Sequence, residues 1–168
     1  MAALRRVVGM PPKRHKPRPP TALREQVMVA INWRDGTEMW RVGLGPGRRK
    51  VDGHIAGTPV IVEGIAYVPS PTSGAVVAVE VRSGRVIWSA PVVPSRGSVF
   101  VSTGRVFAAT SIGFVMLDAR TGSLICRQSL AAGSDRAALT VTGETGVLAL
   151  LDGTVIARPL KDWLACRA

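Results

Sequence analysis

With 168 residues, 46% of them hydrophobic, and a mean hydropathy of +0.22, the chain can bury a real core, which excludes wholesale disorder. Its formal net charge of +11 is uneven, because residues 1–50 hold 12 Lys or Arg against 3 acids and the remainder 10 against 8. The basicity belongs to the N-terminal part, and no apolar run reaches the length of a membrane-spanning helix.

Residues 1–20, MAALRRVVGMPPKRHKPRPP, contain six cations, five prolines and no acid. Proline lacks the backbone donor that helices and central strands need, so residues 1–23 read as an unfolded basic arm. Their apolar runs are too short and broken for a secretory signal. The clusters Arg5-Arg6, residues 13–16 and residues 48–50 can hold nucleic acid or an anionic surface through charge alone. No aromatic residues are interleaved among them, so such binding is unspecific.

From residue 24 the pattern changes to strand. Residues 26–32 and 37–42 flank the turn pair Asp35-Gly36 and predict a hairpin over 24–42. Residues 43–57, GLGPGRRKVDGHIAG, form a Gly-rich basic loop. It lacks the Lys-Ser/Thr ending and the following helix that would aim amides at a phosphate, so it reads as an insertion. Residues 58–91 then predict four short strands, residues 92–130 four more, and residues 131–168 three. The last unit offers no turn glycine before Asp162-Trp163 and is degenerate there.

One arrangement recurs through these units. Ala78 to Trp88, AVEVRSGRVIW, has a small residue at position one, an acid at three, Ser-Gly at six and seven, and Trp at eleven. The stretch from Ala30 to Trp40 keeps the Ala, Gly36 and the Trp, with Asn32 at position three. The stretch from Met116 to Cys126 keeps Asp118 and Gly122 but changes both ends. Gly36, Gly84 and Gly122 are 48 and 38 residues apart, and a second glycine series, Gly74, Gly113 and Gly153, repeats at 39 and 40. Periods of this size indicate solenoids or propellers. Val, Ile and Thr dominate and Gly or Pro interrupts nearly every run of ten, which excludes helix and makes the fold all-β. The unit is a turn in which the position-three side chain bonds backbone and the glycine takes the left-handed conformation. Four-stranded antiparallel units of about 40 residues are the blades of a β-propeller. Thirteen predicted strands make about three and a half blades, an incomplete or open ring.

The stretches from Ala30 to Trp40 and from Ala78 to Trp88 resemble the tryptophan-docking motif of the pyrroloquinoline-quinone-like β-propeller repeats. The resemblance covers roughly residues 25–160. It implies that Ala30, Trp40, Ala78 and Trp88 dock adjacent blades, with Gly36, Gly84, Asp118 and Gly122 completing the motif in the turns. It further implies a choice between two functions. Quinoprotein dehydrogenases of this kind bind pyrroloquinoline quinone and calcium on the axis of an eight-bladed ring, using adjacent cysteines and metal-binding carboxylates. Three and a half blades cannot form that site, Cys126 and Cys166 stand 40 residues apart, and no acidic cluster exists in the sequence. Non-enzymatic members present similar blades as a docking surface for partner proteins. The resemblance also suggests a periplasmic or extracellular setting.

The remaining candidates for chemistry are few. His15 and His54 have no second ligand at metal spacing and read as solvated. Cys126 and Cys166 read as two buried thiols acting as small hydrophobes, because outer strands of adjacent blades should diverge beyond disulfide reach. No catalytic, cofactor-binding or metal-binding residue is expected, and no cofactor. The expected function is non-catalytic scaffolding of protein partners, with self-association of two arcs as one way to cover the open edges.

Overall fold

The computed structural model describes residues 26–47, 57–92, 99–110, 113–129, 138–142, 144–149 and 153–165. The expected arm, the basic core of the Gly-rich loop, His15, His54 and Cys166 lie outside these residues. Among them are thirteen strands in four antiparallel sheets, each a simple meander. The first sheet is the hairpin β1 (Val27–Ile31) and β2 (Glu38–Gly43). The second contains β3 (Val60–Val62), β4 (Ile65–Ser70), β5 (Ala75–Glu80) and β6 (Val86–Ala90). The third contains β7 (Val99–Ser102), β8 (Arg105–Thr110), β9 (Gly113–Asp118) and β10 (Leu124–Ser129). The fourth contains β11 (Ala138–Thr142), β12 (Thr145–Ala149) and β13 (Val155–Pro159).

Alternation along the inner strands explains how the sheets stack, since successive side chains leave a strand on opposite faces. In β4 and β5, Ala66, Val68, Ala75, Val77 and Val79 meet Met28, Trp40 and Val42 of the first sheet. Their neighbours Tyr67, Val76 and Ala78 face the third sheet, where Val106, Ala108, Val115 and Leu117 meet them. The other face of that sheet, Phe107, Ala109, Phe114 and Met116, packs on Leu148 and Trp163 of the last unit. Both faces of these inner strands are therefore covered, which is why their sequences are continuous apolar runs. Outer strands β2 and β10 alternate partly buried and exposed residues instead.

The fourth unit has the three strands expected of it, and its degenerate end is helical. Where a closing outer strand would lie, the chain forms the short helix α1 (Leu160–Leu164). Without a turn glycine after β13 the backbone has no cheap reversal, and it coils back toward the sheet. That places Trp163 in the core, 2% exposed. A correction concerns Cys126, which is disulfide-bonded and not a thiol. The chain's other cysteine is Cys166. The objection from diverging outer strands fails because the segment after β13 is a helix and not an outer strand.

Candidate docking interface between blades

The turns of the first three units close identically. The Gly36 N–H donates to the Asn32 carbonyl at 2.8 Å, Gly84 to Glu80 at 2.8 Å, and Gly122 to Asp118 at 2.9 Å. The position-three N–H of each unit makes the return bond, donating to the Thr37, Arg85 and Ser123 carbonyls at 2.8 to 2.9 Å. The side chain at position three braces the turn. Asp118 accepts from the Thr121 N–H at 2.8 Å, the Thr121 hydroxyl at 2.9 Å and the Arg120 N–H at 3.0 Å. Its carboxyl is held below the ordinary aspartate range, first by the Thr121 hydroxyl and then by the Thr121 backbone. Glu80 is lowered chiefly by the Ser83 hydroxyl, and Asp35 by the Thr37 backbone N–H and then its hydroxyl. These acids are structural anions occupied by turn donors.

Position eleven carries the contact between blades. Cross-strand pairing sets Trp40 opposite Ala30, Trp88 opposite Ala78, and Cys126 opposite Met116. The indole N–H of Trp40 donates to the Val81 carbonyl at 2.8 Å, and that of Trp88 to the Ala119 carbonyl at 3.0 Å. Each acceptor lies in the turn of the following blade. The indole faces rest on the turn glycines, so that a Cβ on Gly84 would stand 2.7 Å from the Trp40 ring and one on Gly122 2.6 Å from the Trp88 ring. Ala78 is fully buried, and Tyr67 stacks near Trp88 with centroids 5.8 Å apart while donating to the Ala119 carbonyl at 3.3 Å. Ala30 is half-buried beside the first dock. Gly36 is in the same conformation as Gly84, with φ of 74°, but nothing lies within 4 Å of its Cβ position.

The third junction is built differently. Cys126 stands where Trp40 and Trp88 stand in their units, and Trp163 fills the cleft from the opposite side. Its ring lies 5.3 Å from that of Phe114 and 2.7 Å from a Cβ on Gly146. Its buried N–H has no hydrogen-bond partner, unlike those of Trp40 and Trp88. Sequence reasoning missed this contact, as it missed the link from Gln26, which accepts from the Ser70 and Thr72 hydroxyls at 3.0 and 3.2 Å. Trp163 was visible as an aromatic one repeat beyond Cys126, but only a helix could turn it inward. Among the described residues no three His, Cys, Asp or Glu come together as a metal site, and no helix is long and apolar enough to cross a membrane.

Stacked antiparallel meanders joined by a tryptophan on the next turn define an arc of PQQ-like β-propeller blades. The chain belongs to the family described as outer membrane protein assembly factor BamB, whose PQQ_2 model matches residues 23–162. Among solved structures it is similar to BamB from Moraxella catarrhalis, with a TM-score of 0.62 and 20% identity over 79% of this chain and 39% of that one. That likeness concerns the fold. A europium-containing methanol dehydrogenase overlaps less well, with a TM-score of 0.48 and 22% identity over 61% of this chain and 22% of the other. A curated relative, 1-butanol dehydrogenase (cytochrome c) of Thauera butanivorans, is 34% identical over 108 residues. The alignment takes in 56% of this chain and 15% of the dehydrogenase. The chain thus spans well under half the length of either BamB or the dehydrogenase.

Proposed function

We propose that this chain is a non-catalytic binding module that presents its open arc of blades to a protein partner. The observation that carries the reading is the state of the first blade. Among the described residues it is a two-stranded hairpin whose outward face leaves Val27, Ile31 and Met39 exposed at 41%, 60% and 63%. Apolar surface beside an unpaired edge is covered in proteins that work by association. The carboxylates of Asp35, Glu80 and Asp118 are meanwhile tied to turn donors. The docking residues Ala30, Gly36, Trp40, Ala78, Gly84, Trp88, Asp118 and Gly122 serve this function by setting the spacing of the blades. Self-association of two arcs rests on the same open edges.

The 34% identity to a butanol dehydrogenase supports a second reading, in which the arc is one part of a pyrroloquinoline-quinone-dependent enzyme. Equilibrium dialysis of the chain against the quinone with calcium tests the choice in one direction: stoichiometric retention would replace the binding module with the enzyme reading.

A further inference from the structure

Trp163 is more deeply buried than Trp40 or Trp88 and less well anchored. It packs on Phe114 and Gly146, yet its indole N–H has no acceptor among the described residues, whereas Trp40 and Trp88 each donate to a backbone carbonyl. A buried donor without a partner opposes its own burial. The element that carries it contributes little. Helix α1 has five residues, well short of the roughly 12 that a helix needs to persist alone, and Pro159 at its N-cap makes no side-chain capping bond. The Leu160 N–H donates to the Glu144 carbonyl at 2.6 Å, and the exposed Arg158 guanidinium lies 5.9 Å from the Trp163 ring centre, a weak contact in water. A covalent bond stands beside this cleft. Cys126 of β10 packs half-buried on the same cluster as Trp163 and is in a disulfide, and the chain's other cysteine, Cys166, follows the helix C-cap Ala165.

We propose that this disulfide is a redox latch that keeps Trp163 in the third junction, and that a dithiol releases it while the blades stay folded. A thiolate of the dithiol attacks the disulfide, the S–S bond breaks, and a mixed disulfide forms. The second thiol then displaces the chain's sulfur. The dithiol leaves as a cyclic disulfide, and its two electrons and two protons end on Cys126 and Cys166 as thiols. With the bond intact α1 is pinned at both ends, by β13 before it and by the disulfide after it. Reduction leaves one end free, and a short element with few bonds of its own then opens locally. Its departure uncovers Phe107, Phe114 and Met116, each at most 1% exposed while Trp163 is seated. The first two junctions do not share this dependence, because their indoles sit on strands and are hydrogen-bonded. The latch does not depend on the binding reading above.

The test is hydrogen exchange of the indole N–H groups in the 15N-labelled full chain, assigned with single Trp→Phe variants, before and after reduction with dithiothreitol. Trp33, 86% exposed, is the fast reference. Before reduction Trp163 should exchange slowly. Afterwards it should exchange about tenfold faster or more, with Trp40 and Trp88 unchanged, and the chain should begin to bind a hydrophobic dye. The double variant Cys126→Ser/Cys166→Ser should show the released state without reductant, and reoxidation of the parent should restore protection. Fast exchange of Trp163 before reduction, or protection unchanged after it, overturns the proposal. So does loss of protection at Trp40, Trp88 and Trp163 together, since the bond would then hold the whole arc. A disulfide-linked dimer on a non-reducing gel overturns it as well, because the cross-link would lie between chains.

Discussion

The Trp88 ring occupies the space that a side chain on Gly122 would need, with a Cβ there only 2.6 Å from the indole. The glycine is thus required twice, once by its left-handed φ of 73° and once by the close approach of the neighbouring blade.

Comparing glycines separates these two demands. Gly36→Ala meets only the conformational cost, about 1 kcal/mol, because its surroundings are open. Gly122→Ala adds the collision with Trp88 and should cost about 3 kcal/mol in all. Urea unfolding of both variants checks this, and equal losses would mean that Trp88 yields freely.

Removing the ring itself tests the dock from the other side. Trp88→Ala should cost about 3 kcal/mol, the lower end for a large aromatic because the side chain is only half-buried. Trp88→Phe keeps most of the packing and loses the bond to the Ala119 carbonyl, so about 1 kcal/mol is expected. A Phe variant as weak as the Ala variant would put the energy in the hydrogen bond.

At the third junction Cys126 is disulfide-bonded. Reduction, or Cys126→Ser, should lower stability by about 3 kcal/mol, and thiol titration of the unfolded chain should find no thiol before reduction and two after. Two reactive thiols in the untreated protein would show that the bond is absent.

Acid should weaken the turns. The carboxyls of Asp35, Glu80 and Asp118 are all lowered in the fold, so the folded state gives up these protons more readily than the unfolded one. Their stabilisation is complete above the ordinary carboxylate range, near pH 4, and is lost as pH falls through it toward the lowered values. Thermal midpoints from neutral pH to about pH 3 should fall below pH 4, less steeply in Asp118→Asn. A slope unchanged by that substitution would remove Asp118 from the titrating set.

The sequence by itself determined the repeat, the all-β class and the division into strands, because these depend on local chemistry. Gly36, Gly84 and Gly122 mark turns that only glycine forms easily, and the continuous apolar runs of β4, β5, β8 and β9 record burial on both faces. Its period also placed Trp40 and Trp88 at equivalent positions. What each indole touches was a tertiary decision, since the Val81 and Ala119 carbonyls lie 41 and 31 residues from their donors and a carbonyl has no residue type to betray it. The same holds for the third junction. The sequence shows Cys126 where a tryptophan is expected, but only the stacking of sheets reveals the cleft left there and the helix that turns Trp163 back to fill it. Local propensity sets turns and strands one at a time, whereas the partner of a side chain depends on how blades stack, and that is settled by all of their faces at once.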